Sequence, residues 1–158
     1  MFNIDSVCTV YGLKELGEIF ISDAQCALNK DLLKQLKITH VLNAAEGEVH
    51  TGPKYYNNII YMGIALVDLP HENISLYFDQ VADFIHHCLS HRGKIVVHCA
   101  MGISRSTTCV VAYLIKYCNM NVNEALKLLR KKRAIIDPNP GFIIQLKNFQ
   151  KIYGYVDD

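Results

Sequence analysis

Short apolar segments alternate along the chain with segments in which apolar residues recur at helical spacing. Four short segments, bounded by polar or turn-forming residues, predict strands: Glu18–Ser22, His40–Asn43, residues 59–66 and Lys94–His98. Residues 59–66 are apolar throughout, which predicts a strand buried on both faces. The preceding residues 46–58 contain Gly, Pro, His and Asn and therefore predict a loop.

Amphipathic segments predict helices between and after these strands. The first covers residues 28–37, and the second begins at Ser75 as its N-cap and is stopped by Gly93. Residues 106–118 are apolar on nearly all sides, which is typical of a central helix packed on several faces. The inward positions of the first two helices are Leu32, Leu33 and Leu36, then Tyr77, Val81, Phe84, Ile85 and Cys88.

The last third of the chain is predicted to be helical. Asn121 followed by Glu124 has the spacing of a capping box and precedes apolar residues at helical spacing. Asn139 followed by Pro140 predicts the start of the last helix. The inward positions of that helix are Phe142, Leu146, Phe149 and Tyr153. Strands that alternate with helices in this way predict an α/β fold with a mostly parallel sheet.

Length and composition fit one domain over residues 1–158, without repeats or low-complexity stretches. Hydrophobic residues make up 51% and charged residues 20%, which is typical of a soluble globular protein. The net charge of +1 gives no reason to expect a nucleic-acid partner. The longest apolar run, residues 59–67, is too short to cross a bilayer, and no signal pattern opens the chain. We therefore expect no membrane association and a cytoplasmic location, with the nucleus as a second one.

Six cysteines are scattered through apolar or helical stretches without a Cys-x-x-Cys pair. This distribution favours reduced thiols in a reducing compartment over a disulfide framework. Five of them are expected to act as small buried hydrophobic residues. Cys99 is the exception because of the residues around it.

The string HCAMGISRS at residues 98–106 lies between a predicted core strand and the predicted central helix. That position is where α/β proteins bind anions, since backbone N–H groups and the helix dipole face the ligand. Gly102 permits a tight turn, and the guanidinium of Arg105 can bind two oxygens of a phosphate. A cysteine at a helix N-terminus beside a cation ionises readily, so Cys99 is a candidate nucleophile. Because neighbouring side chains of a strand point to opposite faces, His98 is expected to point away from Cys99, which argues against a cysteine-protease dyad.

These residues match the protein tyrosine phosphatase signature His-Cys-x2-Gly-x2-Arg-Ser at all five fixed positions. The wider sequence resembles the small atypical dual-specificity phosphatases of the cysteine-based superfamily, through residues 39–47 (THVLNAAEG), 112–114 (AYL) and 138–142 (PNPGF). The resemblance covers nearly the whole chain. It implies a central sheet of about five strands flanked by helices, with the phosphate-binding loop between the last core strand and a central helix.

The resemblance also implies a role for each residue of the motif. Cys99 is the nucleophile and Arg105 holds the phosphate. Asp68, 31 positions before Cys99, is the general acid, with His71 and Glu72 as weaker candidates. The reaction needs no cofactor and no metal. The phosphate-binding loop comprises Ala100, Met101, Gly102, Ile103, Ser104 and Arg105; Ser106 hydrogen-bonds the sulfur or caps the helix, and His98 and Asn43 support the site.

Two further clusters have several interpretations. Residues 130–133 (RKKR) fit a nuclear-import or nucleic-acid patch, a solvated last helical turn, or, by the resemblance, a pocket rim where Arg133 meets a second phosphate. His87, Cys88 and His91 have the spacing of a partial metal site, but we favour histidines near a helix C-terminus. Residues 11–17 fit either a short recognition helix or a loop.

The function that we expect is hydrolysis of phosphotyrosine and of phosphoserine or phosphothreonine in proteins. The uncharged loop residues Ala100, Met101 and Ile103 favour phosphoprotein partners, protein kinases among them, over phosphoinositides. One alternative is a phosphoprotein-binding module of the same fold with little turnover. Another is a rhodanese-type sulfur transferase, which the gap from Cys99 to Arg105 and the following Ser106 disfavour.

Overall fold

The computed structural model describes residues 2–9 and 17–155. Its sheet has five strands, β1 (Ile4–Thr9), β2 (Glu18–Ser22), β3 (His40–Asn43), β4 (Ile60–Gly63) and β5 (Lys94–His98). They lie in the order β1-β2-β5-β3-β4, with β1 antiparallel to β2 and all other neighbours parallel. The predicted α/β fold with a mostly parallel sheet is therefore confirmed. The prediction for residues 11–17 falls outside the described residues except for Gly17.

The helices are α1 (Ala24–Leu28), α2 (Lys30–Gln35), α3 (Phe78–Ser90), α4 (Arg105–Tyr117), α5 (Val122–Lys132) and α6 (Pro140–Ile152), with a 3-10 turn at Ile74–Tyr77. Helix α4 is buried along nearly its whole length, as its sequence predicts. The capping box of Asn121 and Glu124 on α5 and the Asn139 cap of α6 are both present. Within the described residues, no helix is long and apolar enough to cross a membrane.

The prediction of a strand over 59–66 is right in place but wrong in extent and burial, since β4 covers only Ile60–Gly63. Among the described strands β4 pairs with β3 alone and so is a sheet edge, and Ile60 is 55% exposed. The apolar residues that follow it, Ile64 and Leu66, are buried but lie in a loop. An apolar run does not distinguish a central strand from an edge strand followed by a buried loop.

Two other predictions differ from the structure in detail, and one strand was missed. Ser75 lies inside the 3-10 turn and does not cap α3, which ends at Ser90 before Arg92 adopts a positive φ of 60°. The predicted helix over 28–37 is shorter in the structure, where α2 begins only after Asn29, whose side chain accepts a hydrogen bond from the Leu32 amide and so caps the helix. Strand β1 was not predicted because its sequence mixes polar and apolar residues.

The sheet separates two hydrophobic cores because neighbouring strand residues point to opposite faces. Ile19, Ile21 and Val97 belong to the larger core, which α3, α4, α5 and α6 cover. Phe20 and Val96 belong to the smaller core, which α1, α2 and Tyr56 cover with residues such as Ala27 and Leu33. Burial on both faces explains why β2 and β5 are apolar without alternation.

Phe142 tests how far α6 stabilises the larger core. Its side chain is fully buried, so Phe142→Ala is expected to lower the free energy of unfolding by about 3–5 kcal/mol. Ile144→Ala, on the exposed side of the same helix, serves as the matched control and is expected to change it little. Urea unfolding followed by circular dichroism measures both. Equal losses in the two variants would contradict this view of α6.

Candidate active site

The carboxyl ends of the four parallel strands meet at one edge of the sheet. In the register of the sheet, His98 is paired with both Ser22 and Asn43, and Asn43 with Gly63. The segments that follow β3, β4 and β5 therefore start side by side. They carry Glu48, Asp68 and Cys99, respectively, so residues far apart in the sequence come to one place.

Every carbonyl oxygen from residue 99 to residue 104 accepts a hydrogen bond from a group outside the phosphate-binding loop. Because the C=O and N–H of a peptide group point in opposite directions, the amides of residues 100–105 face the centre of the loop. With the carbonyl acceptor named first and then its donor, the pairs are Cys99 and His98 Nδ1 (3.2 Å), Ala100 and the Ala24 amide (3.0 Å), Met101 and Arg133 Nη2 (3.3 Å), Gly102 and Arg133 Nε (3.0 Å), Ile103 and the Asp137 amide (2.9 Å), and Ser104 and the Thr108 amide (2.9 Å). The loop is therefore shaped to bind an anion.

Gly102 is required at its position in this loop. Its φ is +69°, in the left-handed region that side chains rarely adopt. A Cβ there would lie 2.6 Å from the Ser22 carbonyl oxygen and 2.7 Å from Arg133 Nη2. The strand β2 and the Arg133 side chain thus pack directly against the back of the loop.

Cys99 lies at the base of the loop with its sulfur in contact with Ser106. The Sγ–Oγ distance is 3.3 Å, and both side chains are buried. Ser106 lies inside α4, whose N-cap position is taken by Ser104. The interpretation of Ser106 as the helix cap is therefore wrong, and its hydroxyl is directed at the sulfur.

The other cysteines differ from Cys99 in their surroundings. All six are unpaired, as the sequence predicts. Burial raises the pKa of Cys109 and of Cys8 to about 12, and that of Cys88 to about 11. These thiols stay protonated at neutral pH and are poor nucleophiles.

The guanidinium of Arg105 uses one of its edges for protein contacts. Nη1 donates to Glu48 Oε1 (2.7 Å) and to the Leu66 carbonyl (2.9 Å), and Nη2 donates to Glu48 Oε2 (3.3 Å). Nε is buried without a partner among the described residues. The edge formed by Nε and the second Nη2 hydrogen is thus left for a ligand with two oxygens. Although burial alone would lower the pKa of Arg105, the hydrogen bonds to Glu48 and electrostatic interactions with Cys99 and Asp68 raise it.

Asn43 explains why Glu48 is in reach of Arg105. Its buried side chain donates to the Val49 carbonyl (2.7 Å) and accepts from the Ala45 amide (2.9 Å), which folds the segment after β3 around it. Glu48 was not identified from the sequence. Two features of the sequence could have indicated Glu48. It follows a parallel strand, and a buried arginine needs a counter-charge.

Asp68 lies in the loop after β4, close enough to Arg105 to influence its charge. Its Oδ1 accepts a hydrogen bond from Asn139 Nδ2 (2.9 Å), and the Asn139 amide donates to Ser104 Oγ (3.0 Å). Asn139 therefore joins the Asp68 loop to the phosphate-binding loop. The alternative acid Glu72 accepts from the Val67 amide (2.9 Å) and shapes the Asp68 loop itself, and His71 is exposed.

The structure does not support Arg133 as a contact for a second phosphate. Its side chain is 1% exposed and pairs with Asp5 (Nη1–Oδ2, 2.9 Å). Its other donors bind Asn3 and the carbonyl groups of the phosphate-binding loop. A guanidinium enclosed in this way cannot reach a ligand at the pocket rim.

His98 is buried and neutral. Burial lowers its pKa to about 4, although the contact of Nδ1 with the Cys99 carbonyl opposes this shift. Its Nε2 has no partner among the described residues. His98 is thus uncharged at neutral pH, and its Nδ1–H makes the first of the six carbonyl contacts of the loop.

The histidines of α3 form no metal site. His87 and His91 lie with ring centroids 4.4 Å apart, and His91 Nδ1 contacts the His87 carbonyl (2.8 Å). In the part of the chain that the structure describes, no three His, Cys, Asp or Glu side chains are grouped so that they could hold a metal ion.

Comparison with known proteins places this site in a family. Residues 19–152 match the family model described as "Dual specificity phosphatase, catalytic domain". The chain is 43% identical over 144 residues to dual specificity protein phosphatase 1B of Arabidopsis thaliana, covering 89% of this chain and 84% of the relative. It is 44% identical over 131 residues to human dual specificity protein phosphatase 26, covering 81% of this chain and 62% of the relative.

Solved structures share the fold. Human DUSP28 superposes with a TM-score of 0.81 at 19% identity, over 97% of this chain and 96% of that one. DUSP15 superposes with a TM-score of 0.75 at 33% identity, over 84% of this chain and 82% of that one. Human tyrosine phosphatase-like serine/threonine/tyrosine-interacting protein superposes with a TM-score of 0.77 at 30% identity, over 85% of this chain and 92% of that one.

The burial of His98 predicts a pH dependence of stability. Between pH 6.5 and about 4 the unfolded chain binds a proton at this residue that the folded chain does not, so stability falls as the pH falls. The loss reaches up to about 3 kcal/mol at pH 4. Urea unfolding at pH 7 and pH 4.5 measures it. In His98→Asn, which lacks the titrating ring, the difference between the two pH values is expected to shrink; an unchanged difference would contradict the assignment.

Proposed function

The chain belongs to the dual specificity phosphatase family and is a protein phosphatase, and from this premise we propose that it hydrolyses phosphotyrosine and phosphoserine or phosphothreonine in proteins through a cysteinyl-phosphate intermediate. One observation carries the proposal. The carbonyl groups of residues 99–104 are all bonded from outside the loop, which leaves the amides of residues 100–105 for an anion inside it. An anion bound there is next to Cys99, the first residue of the signature loop, and is open to attack by its thiolate.

In the first step, the Cys99 thiolate attacks the phosphorus and the bond to the substrate oxygen breaks. The loop amides and the free edge of Arg105 bind the three remaining phosphate oxygens. Since these donors are fixed before the substrate arrives, they stabilise the charge of the transition state without reorganising. Glu48 fixes the orientation of Arg105 from the opposite edge of the guanidinium.

The leaving oxygen needs a proton, and we assign its donation to Asp68. The Asp68 loop lies over the site because Arg105 binds the Leu66 carbonyl and Asn139 binds the Asp68 carboxyl group. In the second step, the Asp68 carboxylate takes a proton from water, which attacks the phosphorus of the intermediate and releases phosphate and the thiolate. The Ser106 hydroxyl donates to the departing sulfur and so eases its release.

The surface around the site supports protein substrates. Met101 on the phosphate-binding loop, Ile135 after α5, and Val67 and Leu69 beside Asp68 are all apolar and well exposed. These side chains can contact the residues next to a phosphorylated side chain. A polyphosphorylated headgroup would instead need cations there, and Arg133, the residue that the resemblance suggested for a second phosphate, is enclosed in the protein.

A binding module with little turnover is not favoured. One solved structure similar to this chain is called a phosphatase-like interacting protein, so the fold alone does not decide between turnover and binding. This chain has a nucleophile, an arginine and an acid in one site, each with hydrogen-bond partners that orient it. A sulfur transferase is also not favoured, because it needs neither a serine hydroxyl such as that of Ser106 beside the sulfur nor an acid such as Asp68.

Hydrolysis of p-nitrophenyl phosphate tests the mechanism. Cys99→Ser is expected to abolish phosphate release, and Arg105→Lys to lower kcat/KM by at least about 100-fold because lysine cannot bind two oxygens at once. Cys118→Ser, a cysteine outside the site, is the control and is expected to keep wild-type activity. Phosphate release by Cys99→Ser would overturn the mechanism, and wild-type protein that binds phosphopeptides without release would favour the binding module.

The role of Asp68 is tested by varying the leaving group. Asp68→Asn is expected to lower kcat by about 100-fold or more for phenyl phosphate, whose leaving group needs a proton, and by far less for p-nitrophenyl phosphate. Asp31→Asn on the remote helix α2 is the control for loss of a carboxylate. Equal losses on both substrates would assign the proton to another group.

A further inference from the structure

We propose that Arg133 is a positioning residue of the phosphate-binding loop, which strengthens anion binding through two peptide groups, and that Asp5 on β1 is its counter-ion. The inference rests on the proposed function and extends it to residues that do not touch the substrate. It also gives the first strand a part in the site.

Arg133 binds the loop at two consecutive peptide groups. Nε donates to the Gly102 carbonyl (3.0 Å) and Nη2 to the Met101 carbonyl (3.3 Å), with the guanidinium packed against Gly102 from behind. The N–H ends of the same peptide groups belong to Gly102 and Ile103 and face the anion site.

A cation at the carbonyl end of a peptide group makes its N–H end a stronger donor. Hydrogen bonds in a chain polarise one another, and the effect is larger where water is excluded. The side chain of Arg133 is 1% exposed, so water screens its charge little. Arg133 therefore acts on the bound anion from the far side of the loop, one peptide group away.

Asp5 keeps this charge in balance. A buried guanidinium without a partner is costly, and Asp5 Oδ2 pairs with Nη1 at 2.9 Å while Asn3 Oδ1 accepts from Nη2 at 2.5 Å. Both residues belong to the start of the chain, where β1 pairs with β2 and the Asp23 amide donates to the Asn3 carbonyl. Strand β1 is thus connected to the phosphate-binding loop through Arg133.

A positioning role and a purely structural role predict different results. If Arg133 only stabilises the fold, then loss of stability and loss of anion affinity follow each other in all variants. If it polarises the loop, removal of Arg133 weakens anion binding, whereas neutralising Asp5 leaves the guanidinium in place with its charge less compensated. The two variants then change anion affinity differently although both lower stability.

The experiment measures tungstate binding by calorimetry, kcat and KM for p-nitrophenyl phosphate, and the midpoint of thermal unfolding. Arg133→Met is expected to raise the tungstate Kd by about tenfold, and Arg133→Lys by less because it keeps the charge. Asp5→Asn keeps an oxygen for Nη1, so its Kd is expected to stay equal or fall while its midpoint drops. Lys132→Met, which removes an exposed charge from the same helix end, is the matched control.

The outcomes separate the possible failures. A tungstate Kd for Arg133→Met within twofold of the Lys132→Met value would overturn the proposal. So would a Kd that rises for Asp5→Asn in proportion to its loss of stability. If Arg133→Met does not fold, Arg133→Lys and Asp5→Asn give the same comparison. Because tungstate binding is measured without turnover, wild-type protein that binds tungstate and hydrolyses nothing would overturn the proposed function alone.

Discussion

The structure of the site depends on one constraint, the outward direction of six consecutive carbonyl groups between β5 and α4. A loop of this kind would otherwise present oxygens as well as amides to a ligand, and oxygens repel an anion. Five parts of the fold hold the six carbonyl groups: β5, α1, α4, the end of α5, where Arg133 holds two of them, and the segment before α6. The sheet, the helices and their order in the chain bring these donors to one place. The anion site is therefore a property of the whole domain.

The charges around the loop follow from the same arrangement. Two arginines contact it, Arg105 as its last residue and Arg133 at its carbonyl groups, and each is paired with one carboxylate. Glu48 leaves one edge of Arg105 free, whereas Asp5 and the loop carbonyls enclose Arg133. Both residues are arginines paired with a carboxylate, yet their roles differ because the protein covers different edges of the two guanidinium groups.

Much of this arrangement follows from the sequence, because its decisive signals are local. The signature around Cys99 and Arg105 lies within nine residues, and the caps at Asn121 and Asn139 are read from neighbouring positions. The partners that came from distant segments were not predicted. Glu48 pairs with Arg105 across 57 positions and Asp5 with Arg133 across 128, and no local pattern relates such residues. Arg133 was misassigned for this reason: its type and position fitted a pocket rim, but its burial depends on β1, a polar edge strand without a clear sequence pattern.

The contacts of Asn139 determine when the site can form during synthesis of the chain. It caps α6 through its bond with the Phe142 amide, and it also holds Ser104 and Asp68. A nascent chain that has already emerged past Cys99 has neither this residue nor Arg133. The contacts of Asn139 and Arg133 with the loop and with Asp68 can therefore form only after these later residues have been synthesised and α6 packs. On the proposed mechanism, activity then begins only once α6 has packed against the phosphate-binding loop.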